Sequence, residues 1–144
     1  MALPTLHPET YRLSVLYAQA MDERRADLIE EIFTEDSVIE GVDFKISGRE
    51  AIAKMASTLG GENFNFGKTL HYIMNHSAQV EGDRAKATTY CIAYHILKKG
   101  VPSALIWYIR YHDDCVRTDG VWRLAVRRLV LEFTQTLPVT PGPG

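Results

Sequence analysis

The sequence predicts an α+β fold in which three N-terminal helices close one side of a strongly curved mixed or antiparallel sheet, a cone-shaped α+β barrel. Three observations carry this expectation. Helical periodicity is confined to the first part of the chain, and from Thr69 onward it gives way to period two with β-branched and aromatic residues. Four long β-patterned segments then follow, separated only by the turn signals Glu81-Gly82-Asp83, Lys99-Gly100-Val101-Pro102 and Thr118-Asp119-Gly120. Segments of about 13 to 16 residues would make a flat sheet more than about 40 Å across, so they have to twist and bend through bulges. A bent sheet has a concave side, and the helices are the only elements available to cover it.

The 144 residues, 46% hydrophobic and 24% charged, make one domain over 1–137 with a proline- and glycine-rich tail over 138–144 that is expected to fray. The first helix begins at Pro8-Glu9-Thr10 and runs to about Glu23, with Leu13, Leu16, Tyr17, Ala20 and Met21 on its buried face and Asp22 near its end. Arg24, Arg25 and Asp27 lead into a second, short helix over Leu28–Phe33, which Thr34-Glu35-Asp36-Ser37 breaks. Val38-Ile39-Glu40 reads as a short strand that Gly41 and Asp43 turn back through Phe44-Lys45-Ile46. The third helix follows Ser47-Gly48, carries Ile52, Met55, Ala56 and Leu59 on one face, and stops at Gly60-Gly61. The loop after it carries Phe64 and Phe66, more apolar than a connector needs, and is expected to form a lid or a pocket wall. The long strands then run from Thr69, from Arg84 to Lys98, from Ser103 to Arg117 and from Val121 to about Thr136.

Charge and motif content exclude several function classes. A net charge of −2 and a pI near 6.2 leave no basic footprint for nucleic acid or an anionic membrane surface. The start lacks a signal-peptide pattern and no apolar run is long enough to span a bilayer, so a cytoplasmic location is expected. Cys91 and Cys115 sit in separate strands without metal-like spacing and read as reduced, packed thiols. There is no phosphate-binding glycine loop, nucleotide fingerprint or recognisable nucleophile motif. On a regular strand His71 and His76 face opposite sides and share no metal site, and His112-Asp113-Asp114 reads as solvated near a strand end. Neither a metal nor an organic cofactor is implied. The open face of the sheet is expected to carry Trp107 or Tyr108, Ile106, Trp122 and Val130, enough apolar surface to imply an oligomer.

His71 is the leading candidate for chemistry, because a histidine early in a half-buried strand titrates near neutrality and can act as a base, a hydrogen-bond partner or a ligand. In the second long strand, parity places Cys91, Ala93 and His95 on one face and Tyr90, Ile92, Tyr94 and Ile96 on the other. Both sets cannot line one cavity without a bulge.

The segments YAQAMDERRADLIEEIFTEDSVIEG, SGREAI, LHYIMNH, GDRAKATTYCIAYH and TDGVWRLAVRRL, in that order, resemble the SnoaL-like and scytalone-dehydratase-like branch of the nuclear-transport-factor-2-like superfamily over nearly the whole chain. The resemblance implies an aspartate after the first helix and a histidine early in the first long strand, matched by Asp22 and His71. It also implies a tyrosine on the first helix, matched by Tyr17, and a second histidine on the next strand, matched by His95. Some members carry an arginine at about the level of Leu131, where this chain instead has Arg127 and Arg128 slightly earlier.

On that resemblance His71 is the general base, Asp22 fixes its tautomer, and Tyr17 or His95 serves the departing oxygen. Asn75, Phe64, Phe66, Tyr90, Tyr94, Tyr108 and Arg127 are the candidate substrate contacts. The implied activity is a cofactor-free lyase that removes water, or a small fragment such as formaldehyde, from a hydrophobic aromatic or polycyclic alcohol. A ketosteroid-isomerase-like isomerase or polyketide cyclase, and a non-catalytic binding module, are the alternatives. The dehydratase resemblance implies a homotrimer, the isomerase resemblance a homodimer.

Overall fold

The computed structural model describes residues 3–143. Helix α1 (Pro8–Asp22) starts where His7 leaves the extended region and its Nδ1 accepts the Thr10 backbone N–H at 3.3 Å, with Pro8 supplying a preset first turn. Its inner face is the expected one: Leu13, Tyr17, Ala20 and Met21 are buried. A 3₁₀ turn (Ala26–Leu28) and the single-turn α2 (Ile29–Ile32) lead directly into β1 (Phe33–Gly41). The expected break at Thr34–Ser37 therefore falls inside a strand. There the register shifts between Phe33 and Val38, and Glu35 and Asp36 turn to solvent while Phe33 and Ser37 stay buried. β2 (Phe44–Ser47) and α3 (Arg49–Thr58) follow, the helix entered through Gly48 at φ 92, a conformation that suits glycine.

The remaining strands are β3 (Phe66–Glu81), β4 (Arg84–Leu97), β5 (Ser103–Thr118) and β6 (Val121–Pro138). Asp119 and Gly120, at φ 52 and 79, form the two-residue Asp-Gly turn between β5 and β6. The six strands lie in the order β2-β1-β6-β5-β4-β3, antiparallel except for the parallel β1–β6 pair, and the sheet does not close on itself. Its curvature is built at register shifts, with an extra residue in β3 between Ile73 and His76 and extra residues in β6 at Glu132, opposite Tyr108 and Ile109, and at Ala125, opposite Asp114 and Cys115. The N-terminal segment pins the outer strand through paired hydrogen bonds between Thr5 and Ala78 at 3.1 and 2.8 Å. No helix among the described residues is long and apolar enough to cross a membrane.

The bulge in β3 overturns one expectation from parity. Ile73 pairs with Cys91 and His76 with Thr89, so β3 has an extra residue and His76 returns to the same face as His71. His76 sits between Thr89 Oγ1 at 2.7 Å and Thr10 Oγ1 at 3.1 Å, with both ring nitrogens committed. The open-face expectation also needs correction. Ile106 and Trp122 are buried, Trp122 edge-on to His7 at 5.5 Å, and Trp107 faces inward. Val130 is exposed on the convex face as expected and Tyr108 lies there too, stacked on Phe133 at 4.2 Å, and the same face also exposes Leu70, Tyr72, Met74, Tyr90 and Phe133. Both cysteines are free and buried, as expected.

Candidate active site

Between the concave face of the sheet and the helices lies a cavity of about 330 Å³. Met21, Ile39, Ile46, Met55, Leu59, Ile109 and Leu129 make its apolar wall, and Phe44, Phe64, Phe66 and Trp107 supply aromatic surface. Tyr17, His71, His95 and Tyr111 bring the polar atoms, and no charged side chain lines it. The Phe64 and Phe66 rings lie 5.2 Å apart, so the aromatic loop forms a pocket wall, with Phe66 already the first residue of β3.

Asp22 ends α1 and lies beside the start of β3. Its Oδ1 is 2.6 Å from His71 Nδ1, and its Oδ2 accepts the His71 backbone N–H at 2.8 Å. The Thr69 hydroxyl donates to Oδ1 at 3.0 Å. The carboxylate thus grips both the ring and the backbone of one residue, which fixes the ring's orientation as well as its tautomer. A carboxylate only accepts, so Nδ1 carries the proton and Nε2 keeps its lone pair. No hydrogen bond is made to Nε2 among the described residues, and the His71 side chain, 8% exposed, borders the cavity.

His95 lies 6.2 Å from His71, ring to ring, between Phe66 and Trp107, each at 4.9 Å. Its Nδ1 is 3.0 Å from the Leu105 carbonyl oxygen, to which it must donate. Burial lowers its pKa, opposed in part by that bond, so the ring is held neutral with Nε2 as an acceptor. In that state His95 has no proton to give a leaving group. Tyr17 also borders the cavity. Its ring stands edge-on to His71 at 6.2 Å, its hydroxyl forms no hydrogen bond among the described residues, and burial pushes its pKa up to about 12. It stays a neutral donor at any working pH. The Tyr111 hydroxyl is bonded with the Cys91 thiol, and burial raises its pKa well above the usual phenol value.

Five expected contacts lie elsewhere. Arg127 is behind the cavity wall, wholly buried, with Nε and Nη2 donating to Asp113 at 2.9 and 2.8 Å and Nη2 also to Ser14 Oγ at 2.7 Å. Its guanidinium stacks on Tyr111 and Tyr17 at 4.0 and 4.6 Å to the ring centroids. Asp113, expected in solvent, is its buried partner, whereas Arg128 faces outward to Asp114 at 2.9 Å. Tyr90, Tyr94 and Tyr108 are on the convex face, Tyr94 packing against Tyr72 and Tyr108 bonding Gln135. Asn75 is exposed at the β3 bulge. Ile109 and Tyr111, not singled out from the sequence, line the cavity together with Trp107, which was expected on the open face. They share the inner face because Ala93 pairs with Trp107 and Cys91 with Ile109. Among the described residues no group of three His, Cys, Asp or Glu side chains is arranged to hold a metal ion.

A helix-roofed, half-open cone of curved sheet with one apolar cavity defines a small-molecule-binding domain of the nuclear-transport-factor-2-like superfamily. Within it, the chain belongs to the SnoaL-like domain family, which it matches over residues 9–128. It is 32% identical over 135 residues to the uncharacterized protein Rv2910c of Mycobacterium tuberculosis, covering 90% of this chain and 86% of that one. Among solved structures, it is similar to a Novosphingobium aromaticivorans protein provisionally described as a scytalone dehydratase, with a TM-score of 0.76, 26% identity and coverage of 92% and 88%. Hexachlorocyclohexane dehydrochlorinase, LinA type 2, shares the fold at a TM-score of 0.82 and 18% identity over 95% and 93% of the two chains. LinA type 3 from Novosphingobium barchaimii does so at 0.81 and 16%, over 94% of each.

Proposed function

We propose that this protein is a lyase that eliminates water, or a small fragment such as formaldehyde, from a neutral, hydrophobic aromatic or polycyclic alcohol, with no cofactor. The observation that carries this reading is the asymmetry of His71: one ring nitrogen is held by Asp22 at 2.6 Å and the other is uncommitted at an apolar cavity. A cavity of about 330 Å³ is at the small end of ligand sites, which favours a substrate of one or two fused rings. The absence of charged lining favours a neutral one. The likeness to a dehydrochlorinase and to a provisional dehydratase supports elimination as the reaction class.

In this reading Nε2 of His71 takes a proton from carbon, and the C–H electron pair becomes the new C=C bond. The C–O bond breaks with its electrons on oxygen, and Nε2–H returns the proton to that oxygen, which leaves as water. Asp22 stabilises the imidazolium while it exists. Tyr17 donates a hydrogen bond to the oxygen that gains charge and keeps its own proton. His95 accepts from a second substrate hydroxyl. For loss of formaldehyde the same nitrogen takes the hydroxymethyl O–H proton, the C–C bond breaks, and the proton passes to the carbon left behind.

The test is a panel of aromatic and steroidal alcohols incubated with the protein and with H71Q, read by mass for loss of water or formaldehyde. Turnover by the wild type alone is expected. Products of unchanged mass would favour an isomerase, and saturable binding with no conversion would favour a binding module. Copies of the chain are further proposed to associate through the convex face, as a trimer or else a dimer. Light scattering at the monomer mass would contradict this.

A further inference from the structure

We propose that Arg24 and Thr69 are positioning residues for the Asp22–His71 pair, fixing which hydrogen bonds enter the carboxylate and tying the pair to the aromatic wall of the cavity. The proposal rests on the reading of that pair as a working acid–base unit. Arg24 lies just past the end of α1 at φ 57, in the left-handed region that an arginine seldom occupies. That conformation sends its side chain back between the end of α1 and the start of β3. Nη1 donates to Thr69 Oγ1 at 3.1 Å and to the Met21 carbonyl oxygen, and Nη2 donates to the Gly67 carbonyl oxygen. The guanidinium passes over Gly60, where a Cβ would lie 2.6 Å from Nη2 and 2.7 Å from the Gly67 oxygen. Only glycine leaves room for it there.

The direction of one hydroxyl follows from proton counting. Thr69, 1% exposed, has a single hydroxyl proton. Because Arg24 donates into its oxygen, that proton goes to Asp22 Oδ1, the atom that also holds His71 Nδ1. The other carboxylate oxygen takes the His71 backbone N–H. Asp22 is thereby supplied with donors on both oxygens and has no reason to rotate away from the ring. Without Arg24, the Thr69 hydroxyl is free to point elsewhere and the carboxylate loses one of three anchors. Arg24's hold on Gly67 and its passage over Gly60 bracket the loop that carries Phe64, so the same side chain links the pair to the wall against which a ligand would rest.

The experiment uses the ligand-free, full-length protein, with nitrogen-15 imidazole correlation spectra recorded across pH and the low-field Nδ1–H proton of His71 followed directly. Three variants are compared. Thr69→Val keeps the buried shape, Arg24→Asn suits the left-handed backbone, and Arg24→Lys keeps the charge. The wild type is expected to show His71 as the Nδ1–H tautomer with a protected low-field proton. In Thr69→Val and Arg24→Asn that proton loses protection and the other tautomer appears. Arg24→Lys, which keeps a charged donor beside Thr69, keeps the wild-type tautomer. The other groups facing His71 are unchanged throughout: Asp22 and Tyr17 from α1, His95 from β4 and Tyr111 from β5. Spectra of Thr69→Val and Arg24→Asn identical to wild type would overturn the proposal, as would an Arg24→Lys change as large as that of Arg24→Asn. Failure of the lyase reading looks different: the spectra behave as expected and no substrate is turned over.

Discussion

Two acid–base pairs lie against the inner face of the same sheet, one within its strands and one between α1 and β3, and they are built in opposite ways. In Asp113–Arg127 both side chains are sealed, at 2% and 0% exposed, and the guanidinium is clamped by two bonds to the carboxylate, one to Ser14 and the faces of two tyrosines. Burial alone would lower the arginine's pKa, but Asp113 more than offsets it, so the pair stays charged and chemically inert. In Asp22–His71 the carboxylate is held as firmly, yet its partner is an imidazole with one nitrogen left uncommitted at the cavity. Pairing alone therefore does not mark a reactive site. On the proposed reading, what distinguishes Asp22–His71 is an uncommitted nitrogen beside a cavity. The two pairs meet at Tyr17, whose ring rests on Arg127 while its unpaired hydroxyl is available to a ligand.

Exchanging the damage between the pairs should separate turnover from stability. Asp22→Asn and His71→Gln are each expected to lower turnover of a confirmed substrate by about 10⁴-fold while the fold is kept. Asp113→Asn leaves a buried guanidinium uncompensated and should cost about 3–5 kcal/mol. At this chain length that is a fall in Tm of about 10–20 °C, readable by calorimetry. If Asp113→Asn melted like wild type, the sealed pair would not be the anchor described. Tyr17→Phe removes a hydroxyl with no partner among the described residues, so stability should hold while kcat drops about 10- to 1000-fold.

The smallest expected effect is on stability against pH. Burial lowers the pKa of both His95 and His76, so the unfolded chain, with histidines near about 6.5, binds protons more readily than the folded one. Stability should fall as pH drops below that value and level off once the lowered folded values are passed. His95→Gln should flatten the Tm-against-pH curve over this window, and an unchanged curve would mean that His95 is not held neutral.

The order of elements, the turn residues and the positions of Asp22 and His71 were legible from periodicity and from the family resemblance. Faces were harder to read. Parity correctly grouped Cys91, Ala93 and His95, but it could not say which face of β4 is concave, and so Tyr90, Tyr94 and Tyr108 stood as candidates while Tyr111 went unnoticed and Trp107 was assigned to the open face. Carrying the His95 face across the turn into β5 finds the missing pair, since Trp107, Ile109 and Tyr111 alternate along one side. The bulge that returns His76 to the inner face has no clear local signal, because neither glycine nor proline marks it. Arg127 was misread because a fully buried arginine is rare, and only its register with Asp113 on the neighbouring strand explains how it is tolerated.

The central claim, that Asp22 and His71 act as one unit at the cavity, is tested most directly by a double-mutant cycle on a confirmed substrate. If the claim holds, Asp22→Asn combined with His71→Gln is little slower than either single variant, because each alone already disables the base. Near-wild-type turnover in the single variants, or losses that multiply in the double variant, would contradict it and make the pair a structural contact like Asp113–Arg127.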